Sequence, residues 1–237
     1  MRFRKVDEWL GLQLPRWPCE LCGAAAGSAG ICGPCRADLP WIGAACRQCA
    51  RPLGGAGQCD RCFGDTLPWS RAVAPLAWAF PVDALISRYK YGGALHFGAL
   101  LGRLLADHCG GGVRPDGVVP VPLHPARLAE RGFNQARELA RPLARVIGAP
   151  VLERACRRTV ATPPQAGLTA QQRYRNLREA FAASSEVHGL RLAIVDDVLT
   201  TGSTAVALSR ALLQAGAVEV EVWAVARGGT AQAGVKV

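Results

Sequence analysis

The chain has 237 residues, 50% of them hydrophobic, and carries 28 basic against 18 acidic side chains for a net charge of +10. That length accommodates one α/β domain plus a small module. No run of 18 apolar residues occurs, which excludes a membrane-spanning helix, and the charged start MRFRKVDEWLGLQLPRWP has no apolar stretch long enough for a signal peptide. A cytoplasmic location is expected.

Eight of the ten cysteines fall in residues 19–62, as Cys19-x2-Cys22-x9-Cys32-x2-Cys35 and Cys46-x2-Cys49-x9-Cys59-x2-Cys62. Each cysteine of the second set lies 27 residues after its counterpart, and Leu39-Pro40-Trp41 recurs as Leu67-Pro68-Trp69. This is an internal duplication of a unit too small to bury a core of its own. In a reducing compartment, four CxxC pairs suit tetrahedral zinc better than disulfides. Two closed structural sites are expected, with one zinc per repeat preferred over a cross-braced arrangement. Residues 1–69 therefore read as a double zinc ribbon and residues 70–237 as a second domain. The ribbon has two readings: a folding staple or docking surface, for a partner such as a helicase, or a nucleic-acid contact, against which the nearly neutral charge of residues 1–65 argues mildly. Cys109 and Cys156 lie outside the array and read as buried small hydrophobes.

Beyond Trp69, residues 72–80 read as a strand limited by Pro81. Residues 82–91 have helical spacing, with Val82, Leu85, Ile86 and Tyr89 on one face. A helix over 94–109 stops at three glycines, and a short strand over 117–122 follows. A long helical stretch over 125–147 has Pro142 as its expected break. Residues 151–158 are a strand candidate, and Thr169-x-x-Gln172 is a capping box opening a further helix. Strands at 191–196 and 218–226 flank a helix that Gly216 terminates. The alternation of strands and helices predicts an α/β fold with a mostly parallel sheet covered on both faces.

Basic residues concentrate at 127–178, where eleven arginines face three glutamates. Such a field attracts polyphosphate or nucleic acid, although a solvated helix face accounts equally well for any one arginine. Lys90 is the one lysine away from the termini.

The most informative segment is LAIVDDVLTTGST, residues 192–204. A buried strand ends in Asp196 and Asp197, and a loop of Thr200, Thr201, Gly202, Ser203 and Thr204 opens a helix. Free amides and the helix dipole there suit a phosphate, and the two acids suit sugar hydroxyls, hydrated Mg²⁺, or both. A Walker A sequence is absent, which removes the main support for an ATPase. The segment resembles the phosphoribosyl pyrophosphate (PRPP) motif of type I phosphoribosyltransferases.

With the cysteine module, LISRYKYGG (85–93), VPVPLHPARLAERGFNQA (119–136) and PPQAGLTAQQRYRNLREAF (163–181), the chain resembles the ComF family over nearly its whole length. Tyr89 departs from the leucine that often precedes the lysine. The resemblance implies a type I phosphoribosyltransferase fold and a link to DNA uptake in natural transformation. It implies that Thr200, Thr201, Gly202, Ser203 and Thr204 hold the 5-phosphate of PRPP and that Asp196 and Asp197 contact the ribose hydroxyls. Pro120, Val121, Pro122 and Leu123 take the place of the pyrophosphate loop, with Lys90 and Arg131 supplying charge. Residues 163–175 resemble a flap that brings Arg173 or Arg175 in on closure. The expected cofactors are structural Zn²⁺ and Mg²⁺, and the expected activity is transfer of phosphoribose to an acceptor. The competing expectation is a protein that binds single-stranded DNA or docks a DNA-uptake helicase and keeps the pocket as a sensor or relic.

Overall fold

The structure, a computed structural model, describes residues 18–26, 30–55, 57–64, 67–159 and 180–229. It forms two compact units, residues 1–39 and 40–237. The first contains the first cysteine repeat, in which the Cys19 amide donates to Ala24 O and the Gly23 amide to Cys19 O. A one-turn helix α1 (Gly33–Ala37) follows Cys32, with Pro34 in its first turn, where a missing N–H costs no hydrogen bond.

The larger unit begins with the second repeat, which makes the same turn: Cys46 donates to Arg51 O and Ala50 to Cys46 O. Next come β1 (Arg71–Val73) and β2 (Leu76–Ala77). The expected single strand is split at Ala74-Pro75, and the Pro75 carbonyl accepts from Ile42. Helix α2 (Val82–Tyr91) buries the four residues that the spacing selects, Val82, Leu85, Ile86 and Tyr89. Then come α3 (His96–Ala106) and β3 (Gly117–Pro120).

The stretch over 125–147 does break, but not at Pro142. It divides into α4 (Pro125–Arg131) and α5 (Gln135–Ile147), with Pro142 inside α5. Gly132 closes α4 in the left-handed conformation at φ +79°, and Asn134 caps α5 by accepting from the Ala136 and Arg137 amides. Pro142 removes one helical hydrogen bond, while the buried face of Ala136, Leu139, Ala140 and Leu143 holds the helix together.

Of residues 151–158, Val151 makes one bridge to Val118 and only Cys156–Arg158 forms a strand, β4. It pairs antiparallel with β5 (Phe181–Ala183), so this hairpin is the stem that carries residues 160–179. The capping box at Thr169 and the flap at 163–175, with Arg173 and Arg175, lie outside the described residues.

The strands β6 (Arg191–Leu199) and β7 (Glu219–Arg227) frame α6 (Ser203–Gln214). The main sheet is parallel throughout, in the order β1-β7-β6-β3, with β2 also on β7. Leu208 and Leu212 of α6 join Leu192, Ile194, Val220 and Val222 in one core. The alternate residues Ala193, Val195, Trp223 and Val225 are equally buried on the opposite face. Helices α3 and α5 pack on each other and against β7 and β6. Burial on both faces is what makes these strands read as near-continuous apolar runs. The α/β architecture expected from the sequence is thus present. No helix among the described residues is long and apolar enough to cross a membrane.

Candidate functional site

Strand β6 is longer than its apolar run suggests. β3 stops with Pro120 opposite Val195, whereas β6 continues against β7 to Leu199. Asp196 and Asp197 therefore stand inside the strand, on the edge that β3 vacates. Crevices of this kind at the carboxyl ends of parallel strands are where open α/β sheets bind ligands. The chain leaving β3 stays close: the Val121 amide donates to Val195 O, and Asn134 Nδ2 donates to Val121 O at 3.1 Å. The segment Pro120–Leu123 is thereby fixed at the rim of the crevice.

The two acids face different surroundings. Asp196 lines a small cavity of about 40 Å³ with Val121 and residues 198–205. Burial lifts its carboxyl to about 6, and the charges of Lys90 and Arg158 pull it back only in part. Asp197 is 3% exposed. Its Oδ2 lies 2.5 Å from Lys90 Nζ, and its Oδ1 accepts from the Val198 amide. Burial pulls Lys90 below the usual lysine range; Asp196 opposes that shift and Arg131 adds to it.

Lys90 reaches this point because Tyr89 anchors the end of α2. The Tyr89 hydroxyl is buried and donates to Gln135 O at 2.7 Å, which joins α2 to the start of α5. The tyrosine that departs from the expected leucine thus has a structural task. Arg131 ends α4, donates to Gln135 Oε1 at 2.7 Å and stacks over Tyr91. Lys90, Tyr91, Arg127 and Arg131 line an opening of about 580 Å³.

The loop after β6 has the features of an anion cradle. Gly202 caps α6 at φ +82°, a conformation that disfavours a side chain. A Cβ there would also meet the edge of the Trp69 ring at 3.4 Å. Thr201 Oγ1 and Ser203 Oγ lie 2.8 Å apart, and the Ser203 amide points to Thr201 Oγ1. The first amides of α6 have no partners within the helix, so they and the helix dipole favour an anion.

Three residues of this neighbourhood escape the sequence reading. Arg158, read there as part of a surface patch, ends β4, stacks over Phe181 and acts electrostatically on Asp196. Trp69 donates from Nε1 to Gln48 O at 2.6 Å. Arg227 is 3% exposed and stands one residue past the end of the predicted last strand. A charge closing the apolar run VWAVA, residues 222–226, was the available signal.

The cysteines gather into two clusters, Cys19, Cys22, Cys32, Cys35 and Cys46, Cys49, Cys59, Cys62, with the sulfurs of each within 4.8 Å of one another. The Cys22–Cys32 and Cys49–Cys59 sulfur pairs are 3.6 Å apart. A tetrahedron of 2.3 Å Zn–S bonds has edges of about 3.8 Å, so the spacing fits zinc. The grouping is sequential, one site per repeat. Burial would raise the Cys46 thiol, but backbone donors from Cys59, Cys49 and Gln48 together outweigh it and bring it to about 7. For Cys46 this favours the thiolate that a metal needs, whereas burial raises the Cys49 and Cys62 thiols.

Residues 9–63 match the double zinc ribbon domain family. The chain is similar to the DNA utilization protein YhgH of Salmonella typhi, with 36% identity over 218 residues that span 89% of this chain and 96% of that protein. It is 33% identical to competence protein F of Haemophilus influenzae, over 88% of this chain and 90% of that one. Competence protein ComFC of Bacillus subtilis is 26% identical over 78% of this chain and 79% of its own. Among solved structures, the B. subtilis glutamine PRPP amidotransferase overlaps 53% of this chain and 25% of that chain, at 23% identity and a TM-score of 0.37. A purine phosphoribosyltransferase from Pyrococcus horikoshii overlaps 64% of this chain and 74% of that one, at 16% identity and a TM-score of 0.31.

Proposed function

The chain belongs to the ComF family of competence proteins, and from that premise we propose that the crevice at the end of β6 binds PRPP and supports its Mg²⁺-dependent cleavage. The observation that carries this reading is the convergence of three groups on one crevice: a glycine-capped helix N-terminus, two strand-borne acids, and Lys90 paired to one of them. The loop amides and hydroxyls of residues 200–204 suit a 5-phosphate. Asp196 and Asp197 suit the ribose hydroxyls beside it. Lys90 and Arg131, on the 580 Å³ opening, suit the pyrophosphate.

The chemistry follows from charge. As pyrophosphate departs from C1 of the ribose and an acceptor nucleophile forms the new bond there, positive charge develops on the sugar, which the carboxylates stabilise, while Lys90 and Arg131 stabilise the leaving group. A bound Mg²⁺, held by Asp196 or Asp197 with ligand and water oxygens, would neutralise phosphate charge there. Lys90 exchanges partners in this scheme, because an arriving pyrophosphate competes with Asp197 for its ammonium group.

Calorimetric titration of the full chain with PRPP and Mg²⁺ tests the proposal. Binding is expected for the natural chain and a loss of at least about tenfold for Asp196→Asn/Asp197→Asn. Absence of binding by the natural chain at millimolar PRPP would refute it.

A second reading, single-stranded DNA binding, has its own observation. Arg154 and Arg157 are exposed beside the β4–β5 hairpin, whereas Arg137 and Arg141 are occupied by Glu138 and Glu153. Replacing Arg154 and Arg157 by alanine should then lower the slope of log affinity against log salt by roughly 1–2. An unchanged slope rules that surface out.

A further inference from the structure

Arg227 sits at the end of β7, between two neighbours: its Cα is paired with Leu199 of β6 and with Ala77 of β2. A guanidinium at 3% exposure needs both hydrogen-bond partners and a counter-charge. The partners are all backbone carbonyls. Nε donates to Cys49 O at 2.7 Å, and Nη1 donates to Leu199 O at 2.7 Å, to Thr200 O at 2.5 Å and to Gly228 O. Among the described residues no carboxylate forms a salt bridge with it.

One side of this fork therefore holds the turn between two cysteines of the second metal site. The other holds Leu199, the last residue of β6, and Thr200, the first of the anion-binding loop. A second link runs alongside, because Trp69 donates to Gln48 O in the same cysteine turn and its ring lies against Gly202. Four thiolates around one Zn²⁺ form a net dianion. The filled site thus supplies, next to the guanidinium, negative charge that no salt bridge among the described residues provides.

We propose that Arg227 is a positioning residue of the anion-binding loop and that the filled second cysteine site holds it in place, so that zinc occupancy and PRPP affinity are linked. The inference rests on the PRPP reading for its ligand, while the coupling itself rests on the contacts of Arg227 and Trp69. Linkage is reciprocal: PRPP must tighten the second zinc by the same factor by which that zinc tightens PRPP, here about tenfold. An arginine is needed because one planar fork serves both sides, which a lysine's point charge does not.

The test uses the full zinc-loaded chain carrying Cys22→Ser, which leaves the second site as the zinc-holding one. Chelator competition is run with and without saturating PRPP and Mg²⁺, and amide exchange is followed over residues 199–206. PRPP should raise the chelator concentration needed to strip the zinc about tenfold. Stripping the zinc without PRPP should speed exchange at 199–204. Adding Arg227→Lys should abolish the first effect, and the zinc-filled Arg227→Lys protein should exchange at 199–204 like the stripped protein. Unchanged exchange in that segment after zinc removal would overturn the proposal, as would PRPP binding with no change in zinc competition. If the natural chain binds no PRPP, the ligand reading falls alone and the exchange measurement still decides the coupling. If Arg227→Lys does not fold, the measurements without it decide the same question.

Discussion

The two cysteine repeats share spacing, turn and metal geometry, yet they differ in what surrounds them. In the first, Cys22 is exposed and the left-handed turn position is Gly23 at φ +76°. In the second, the counterpart Cys49 is only half-buried and the equivalent position is Ala50 at φ 54°, the one non-glycine with positive φ among the described residues. Ala50 is 1% exposed and belongs to the same core as Leu208 and Val222. A methyl group there exchanges backbone comfort for packing. The carbonyls of Arg47, Gln48 and Cys49 accept in turn from Ala72, Trp69 and Arg227. The comparison teaches that a duplicated metal turn can belong to a separate compact unit in one copy and be a structural part of a neighbouring sheet in the other. The boundary of the repeat at Cys62 and the boundary of packing at Leu39 do not coincide.

The largest expected effect would break the symmetry of the pair outright. Cys22→Ser and Cys49→Ser should each reduce zinc from two per chain to one. Only Cys49→Ser should also destabilise the main unit, by at least about 4 kcal/mol, because lost metal there undermines the sheet. Zinc analysis together with thermal unfolding separates the two outcomes; equal melting losses would erase the distinction.

A smaller effect asks whether the acids titrate independently of the first repeat. With Asp196 raised to about 6, ligand that needs its carboxylate should bind progressively more weakly as pH falls below about 6, in Cys22→Ser as in the natural chain. For stability the sign is opposite. The folded chain holds this proton more tightly than the unfolded chain, so stability falls as pH rises from about 4 to 6. Asp196→Asn should therefore raise stability at pH 7, by roughly 1–2 kcal/mol given partial solvent access. Denaturant unfolding at pH 4 and pH 7 measures this, and a gain of equal size at both pH values would contradict it.

Next in size is Trp69→Phe, which keeps the ring but removes the donor to Gln48 O. It should cost about 1–2 kcal/mol by chemical denaturation. The smallest effect is Ala50→Gly, which relieves about 1 kcal/mol of strain and forfeits about 0.8 kcal/mol of methyl burial, so its melting point should hardly move. Gly23→Ala should cost about 1 kcal/mol, since its surroundings are open and only the backbone objects.

Much of the local structure was legible in the chain. The cysteine spacing predicted both clusters, the helical period picked the buried face of α2, and the order of apolar run, acids and small hydroxyl residues located the glycine-capped start of α6. Where local reading failed, a longer-range interaction had decided. Pro142 looked like the helix break, but burial of the α5 face retained it and Gly132 with Asn134 made the break instead. The acids looked like the end of a strand, but β7 continued to pair with β6 beyond them.

By itself the sequence determined the cysteine clusters, the mostly parallel α/β class, and the position of a glycine-capped helix start next to two carboxylates. These follow from periodicity, turn chemistry and the fixed reach of neighbouring residues along one backbone. Only the tertiary structure decided that Asp197 pairs with Lys90, that Tyr89 sets that lysine in place, and that Arg227 joins Cys49 to Thr200. Such partnerships join residues up to 178 positions apart. Nothing in local spacing encodes them, because they form only when the sheet brings distant strand ends together and burial makes every polar group there find a partner.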